Sequence, residues 1–318
     1  MSRAKFGLIL PQGWRLDLPS LPAGEQFQMI KRTTLAAEEM GFDSAWLYDH
    51  LLTYPQIRKT SCFESWTTLT SLAMATSKIR LGTIVTCNSY RAPALLAKIS
   101  SVFDVISGGR LEFGLGAGWY KEEYEAFGYE FPSNATRIRM LDEALTIIDE
   151  LWKAGESTFQ GKHYVTKKAI NYPLPLQKPR PPVTVGGGGE QMMLRVVAKH
   201  ADRWNWNGDR EAFRHKVDVL KARCEEVGRD FESIEKSYWG MVSIDRSREE
   251  AVRKAKEMPT GSSFESFMTH HAVGTPDDVA SFFAPYVDMG ARYFVLQINE
   301  SAGIESLKLF MDEVVPKL

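Results

Sequence analysis

The sequence predicts an α/β fold, a (β/α)8 TIM barrel with insertions after strands four and seven. Two observations predict it, and a third places the candidate site. Eight short apolar segments recur along the 318 residues, and each is followed by a segment of helical periodicity. Strands that alternate with helices in this way pair in parallel with the helices outside, and eight such units favour a closed barrel over an open doubly wound sheet. Finally, two glycine clusters, Gly114 to Gly118 and Gly186 to Gly189, each stand at the carboxyl end of a predicted strand.

The elements follow in order. Residues 5–10 are a short apolar run stopped by Pro11, which reads as strand one. Residues 25–40 place Phe27, Ile30, Leu35, Ala36 and Met40 on a helical period that Gly41 ends. Residues 44–48 are strand two and 66–75 a helix. Residues 79–86, rich in β-branched side chains, are strand three. Pro93 opens a helix over 93–106, where a first-turn proline is tolerated. Residues 110–114 are strand four, and a long helix covers 137–153. An excursion then holds a hairpin or extended piece at 158–165 and a Pro-rich extended piece at 172–182. Strand five (183–185) and its helix (192–199) lead to strand six (203–206) and a helix over 211–227. Strand seven (237–244) and a helix over 248–256 precede a second excursion, 258–275. A helix over 277–289, strand eight (292–298) and a helix over 304–315 complete the pattern. No Ser/Gly tract or charge block marks a linker, so residues 1–318 read as one domain.

Composition excludes several function classes. The net charge is -1, with 25% charged residues, which argues against a nucleic-acid or acidic-membrane partner. No apolar run approaches the roughly 18 residues of a membrane span, and the apolar run before Pro11 is too short for a signal-peptide core. The three cysteines, Cys62, Cys87 and Cys224, are far apart and in no metal-ligand spacing. A reducing cytoplasm is the expected location.

In a barrel of this class the chemistry sits at the carboxyl ends of the strands. Those positions are residues 11–14, Asp49 and His50, Thr86 to Asn88, residues 116–123, residues 186–190, residues 205–207, Ser243 and residues 297–300. Glycines there let backbone approach something flat or anionic. The first cluster runs on into Trp119, Tyr120, Glu122 and Glu123. Wide backbone access, aromatic faces and few charges suit a large planar ligand better than a metal ion. An imidazole exchanges protons near neutral pH, so His50, oriented by Asp49, is a candidate acid or base. Gly186, Gly187, Gly188 and Gly189 precede a helix and form a candidate phosphate site; no Gly-Lys-Ser/Thr follows, so this is not a P-loop. Arg137 and Arg139 read as a solvated helix face, and Cys87 as a small buried residue. His270 and His271 are adjacent, so they cannot point the same way in a regular element, and no metal is expected.

Taken together, W-L-Y-D-H, I-R-L-G-T-I-V-T, D-V-I-S-G-G-R-L-E-F-G-L-G-A-G-W-Y-K-E-E-Y, V-T-V-G-G-G-G-E, A-D-R-W-N and V-G-T-P-D-D-V resemble the luciferase-like flavin and deazaflavin oxidoreductase superfamily over nearly the whole chain. The start, L-P-Q-G-W-R-L-D-L, with S-Y-R-A-P, is similar to a subgroup of oxidoreductases that use the 5-deazaflavin coenzyme F420. The resemblance implies a (β/α)8 barrel, a homodimer formed by helices beside strands two to four, and hydride transfer to or from a small organic substrate. It implies that Asp49 and His50 lie near the reactive ring, with His50 as proton donor or acceptor. It implies a non-proline cis peptide near Ile84 and Val85, behind the ring, with Thr86, Cys87 and Asn88 alongside. Gly116, Gly118, Trp119 and Glu122 would line the ring or its polyol tail, and Gly187 and Gly188, with Asn207, would hold the phosphate. The sugar-phosphate dehydrogenases of the superfamily carry a Glu where Trp119 stands, so their substrate class does not transfer. The competing expectation is an FMN-dependent monooxygenase on the same barrel; His50 and the expected cis peptide lean towards the deazaflavin.

Overall fold

The computed structural model describes residues 3–258, 261, 263–298 and 304–318. Along the chain run β1 (Lys5–Ile9), α1 (Ala23–Met40), β2 (Ser44–Leu47), α2 (Ser65–Ala75), β3 (Arg80–Thr83), β4 (Thr86–Cys87), α3 (Pro93–Ile106), β5 (Leu111–Gly116), α4 (Lys121–Ala126), α5 (Asn134–Lys153), β6 (Glu156–Ser157) and β7 (Ala169–Ile170). There follow β8 (Val183–Gly186), α6 (Met193–His200), β9 (Arg203–Trp206), α7 (Arg210–Val227), β10 (Glu235–Ile244), α8 (Arg248–Glu257), α9 (Phe264–His270), β11 (Ala272–Gly274), α10 (Pro276–Asp288), β12 (Ala291–Ile298) and α11 (Glu305–Glu313). The fold is the expected (β/α)8 barrel; its strands are β1, β2, β3, β5, β8, β9, β10 and β12. Packing divides the chain into two compact units. Residues 1–64, 205–217 and 235–318 form the first, and residues 65–204 and 218–234 the second.

In the first unit the strands run parallel in the order β11-β10-β12-β1-β2. Phe6 of β1 stacks on Phe294 of β12 at 5.6 Å and meets Phe310 of α11 edge-on at 5.5 Å, which builds the apolar layer under the helices. Gly7 must be small: a Cβ there would lie 2.4 Å from Trp46 Nε1. That indole donates to Ser44 Oγ at 2.6 Å, and Tyr293 Oη donates to the same oxygen at 2.7 Å. The excursion after strand seven holds two elements absent from the sequence pattern, α9 and β11. Ser263 caps α9 by accepting from Ser266 N. Phe267 and Val273 are buried with Met241, Ala251 and Ala255, so the excursion carries its own small core.

In the second unit β5 lies between β3 and β8, and β4 pairs with β5 beyond β3. Strand three is therefore in two pieces, separated by the cis peptide Ile84-Val85. The helix expected from residue 137 starts at Asn134, because the Ser133 side chain accepts from Thr136 N at 3.2 Å. The excursion after strand four is a hairpin: β6 pairs antiparallel with β7, and Gln160 bridges Val165. The Pro-rich piece is fastened by buried Asp104, whose carboxylate accepts from Leu176 N, Gln177 N and Gln177 Nε2 at 2.7 to 3.0 Å.

Glu112 of β5 is 3% exposed and holds Arg203 at 2.7 Å and Arg80. Burial alone would raise its pKa; the two guanidiniums outweigh burial and hold it below the usual carboxylate range. Glu112→Gln leaves buried positive charge unmatched, so a loss of about 3–5 kcal/mol is expected in urea unfolding at neutral pH. Because the folded-state pKa is lowered, the stabilisation is complete above the unfolded glutamate value. It is lost as pH falls through the folded one. An unchanged unfolding midpoint in the variant would contradict this role.

Candidate active site

The carboxyl ends of β1 and β2, in the first unit, carry an aromatic group centred on Trp14. Gln12 sets the path of the loop: its Nε2 donates to the carbonyls of Tyr48 and Phe63 at 2.8 and 2.6 Å, and its Oε1 accepts from Tyr48 N at 2.9 Å. Trp14 is thereby laid flat on the imidazole of His50, with ring centroids 4.1 Å apart and planes 8° apart. Tyr48 and Tyr54 pack on the same indole at 4.3 and 5.8 Å, and the Arg15 guanidinium lies 4.4 Å from its centre. His50 is half-buried and Asp49 buried.

The Tyr48 hydroxyl accepts from Trp239 Nε1 and donates to Gln297 Oε1, both at 3.1 Å. Burial pushes its pKa up to about 12, so it stays protonated near neutral pH. His271 is pushed down to about 3 by burial and by Arg15, and its Nδ1 accepts from Met241 N at 3.3 Å. Its neighbour His270 instead pairs with Ser266 O at 2.8 Å. The two histidines thus face different surroundings. Among the described residues no cluster of three or more His, Cys, Asp or Glu could hold a metal ion. Asp17 accepts from Gly13 N at 2.6 Å and lines a largely apolar cavity of about 250 Å³ with Met29, Ile298 and Leu307. Burial raises its pKa.

In the second unit the two glycine clusters meet one side chain. A Cβ at Gly116 would lie 2.6 Å from Val85 Cγ2, at Gly186 3.1 Å from the same atom, and at Gly114 2.0 Å from Thr83 O. Much of the close approach those glycines allow is thus to the inward Val85 and to strand three. Gly118 has φ +76°, and a Cβ there would lie 1.9 Å from Tyr124 Oη. Thr86 Oγ1 pairs with Thr83 Oγ1 at 2.6 Å, and Cys87 Sγ with Tyr124 Oη at 3.1 Å. Asn88 is buried and donates to Tyr164 Oη at 3.2 Å.

Gly187 has φ +134°, and its carbonyl accepts from Trp204 Nε1 at 2.8 Å. The Gly189 carbonyl accepts from Leu194 N at the start of α6, so residues 186–189 lead straight into that helix. Trp119 is 53% exposed and stacks on Tyr120 at 5.2 Å.

Two expectations change, and a third residue is placed beside a buried carboxylate. Glu122 is exposed on α4, and the inward carboxylate is its neighbour Glu123, which accepts from Tyr90 Oη at 2.6 Å. Helical neighbours diverge by about 100°, so only one of the pair can face inward. Arg137 is buried rather than solvated; its Nε donates to Gly118 O at 3.2 Å, while Arg139 is exposed. Ser243 and Asn205 are spent on structure, bonded to Ala251 O and Ser237 Oγ at 2.7 Å each. Asn207 is half-buried after β9, and Asn299 and Glu300 lie outside the described residues. Sequence reasoning missed Arg15, Asp17, Tyr90, Tyr164 and Trp239 as members of these clusters. For Arg15 and Asp17 a signal was available: opposite charges in a mainly apolar loop directly after strand one.

An Asp-His pair thus follows β2 in the first unit, and a glycine run enters α6 in the second. The sequence profile of the luciferase-like monooxygenase family matches residues 5–272, and the chain belongs to that family. Similar proteins include the F420-dependent glucose-6-phosphate dehydrogenase of Amycolatopsis mediterranei, 27% identical over 93% of this chain and 96% of that one. The pyrimidine monooxygenase RutA of Caulobacter vibrioides is 27% identical over 98% and 89%. Among solved structures, an F420-dependent secondary alcohol dehydrogenase in complex with an F420-acetone adduct superposes with TM-score 0.84 at 19% identity, covering 99% of both chains. Long-chain alkane monooxygenase superposes with TM-score 0.82 at 16% identity, covering 100% of this chain and 91% of that one. The structural likenesses show the shared fold.

Proposed function

We propose that the chain is a coenzyme F420-dependent oxidoreductase that transfers a hydride between the deazaflavin C5 and a small organic substrate. The observation that carries this reading is the His50 imidazole, held flat by Trp14 beside Asp49 at the end of β2. Hydride transfer to a polar double bond needs one proton at the far atom, and a fixed, half-buried imidazole suits that task. The dehydrogenases among the similar proteins support the same chemistry. Trp119 gives the substrate side an indole where a sugar-phosphate dehydrogenase needs an acid, so glucose 6-phosphate is not the proposed substrate.

The residues fit a ring with a phosphate tail. Ile84, Val85, Thr86, Cys87 and Asn88 are the proposed backing of the ring, with Gly116, Gly118 and Trp119 beside it. Gly186, Gly187, Gly188 and Gly189 are the proposed phosphate cradle, with Asn207 as a further contact. The one buried amide atom among them without a partner, Asn88 Oδ1, is what a site built for a polar ring would leave open. When bound, the coenzyme supplies or accepts the hydride. His50 gives or takes the proton at the substrate heteroatom, and Asp49 holds the imidazole in register.

The second reading, an FMN-dependent monooxygenase, is kept because RutA and the alkane monooxygenase are also similar. Titrating the apoprotein with each cofactor and following tryptophan fluorescence separates the two. Tight binding of coenzyme F420 and not FMN is expected; the reverse would make the monooxygenase reading the better one. The same preparation should sediment as a homodimer through helices beside strands two to four. We read residues 1–318 as one domain and the location as cytoplasmic; among the described residues no helix is long and apolar enough to cross a membrane.

A further inference from the structure

Asn88 opens the short 3-10 turn Asn88–Tyr90 after β4 and is 1% exposed. Its Nδ2 donates to Tyr164 Oη at 3.2 Å, while its Oδ1 finds no partner among the described residues. A buried acceptor without a donor is costly, and native proteins keep few of them.

Tyr164 comes from the hairpin between β6 and β7, whose tip is pinned from outside. The carboxylate of Glu143, on α5, accepts from three successive backbone amides, Lys162 N at 2.8 Å and His163 N and Tyr164 N at 2.9 Å. Gly161 N donates to Tyr164 O at 2.9 Å and closes the turn. A Cβ at Gly161 would lie 2.4 Å from Glu143 Oε2, so the close approach needs glycine there. The carboxylate reaches Asn88 only through the hairpin: it fixes the backbone, the backbone fixes Tyr164, and Tyr164 fixes the amide.

We infer that Asn88 Oδ1 accepts the imide N–H of the cofactor ring, and that Tyr164 and Glu143 are positioning residues that aim it. This rests on the cofactor reading proposed above, which places Asn88 beside the ring. The imide N–H is chosen because it is an obligate donor; a ring hydroxyl can ionise or turn its hydrogen elsewhere. Glu143 thus acts on cofactor affinity through the hairpin that follows α5, without touching the cofactor itself.

The test is a double-mutant cycle read by fluorescence titration with coenzyme F420. Tyr164→Phe, Glu143→Ala and Asn88→Leu should each weaken binding by about tenfold or more, with melting temperature near that of the wild type. Glu143→Ala should also speed amide hydrogen exchange at residues 162–164. Combining Tyr164→Phe with Asn88→Leu should add no further loss, since the tyrosine acts through the amide. Additive losses, or wild-type affinity in Tyr164→Phe, overturn the inference. Should Asn88→Leu fail to fold, Tyr164→Phe and Glu143→Ala still decide it. If the wild type takes FMN instead, the cofactor reading falls. The same cycle with FMN, whose ring carries the same imide, then decides this inference separately. Binding of neither cofactor removes both.

Discussion

His50→Ala is expected to lower turnover by about a hundredfold to ten-thousandfold, the range over which a positioned acid or base contributes. Cofactor affinity and melting temperature should change little, because the ring lies half-buried on Trp14 and its loss leaves the Gln12 bonds to Tyr48 and Phe63 in place. The check is steady-state kinetics with a substrate found by screening, alongside cofactor titration of the same variant. Turnover at the wild-type rate would take His50 out of the mechanism. Trp14→Ala should share part of the defect, since the imidazole then loses the surface that fixes its plane.

Gly188→Asp is expected to remove cofactor binding while leaving the fold intact. Gly188 lies half-buried in the run that enters α6, a helix with no acidic residue in its first turn. Amides at such a turn favour an anion. A carboxylate there brings bulk and like charge against a phosphate, a contact that costs several kcal/mol. Affinity should therefore fall by about a hundredfold or more in the fluorescence titration. Undiminished affinity would move the phosphate site away from residues 186–189. A Gly116 variant is a poorer probe, because Val85 Cγ2 would be 2.6 Å from its Cβ and the strand itself would shift.

Most element positions were legible because their signals are local. Gly41 ends α1 at φ +83°, Pro93 opens α3, and the four-residue pattern at 203–206 is β9 as read. Among the elements that were missed, α9 and β11 are seven and three residues long. Periodicity needs windows of about 11 residues or more, so elements this short have too few positions to declare a face. What makes them form is packing of Phe267 and Val273 on residues of β10 and α8, which the excursion alone does not reveal.

The candidate site divides the same way. Residue types at strand ends were readable, since the barrel period says which positions end a strand: Asp49, His50, Cys87, Asn88 and both glycine runs came from that count. Which of Glu122 and Glu123 turns inward was not readable, because α4 has six residues and two adjacent carboxylates look alike until the helix has something to pack against. Nor was the company His50 keeps. Trp14 lies thirty-six positions before it, a separation that only the parallel pairing of β1 with β2 closes. Glu143 is a surface-helix carboxylate by pattern, and only the returning hairpin makes it an anchor for three backbone amides. Chain order and local chemistry thus dictated the barrel and the residue types at its strand ends. Which of those groups are aimed, buried or spent on packing was decided by contacts between distant segments, which exist only once the chain has folded.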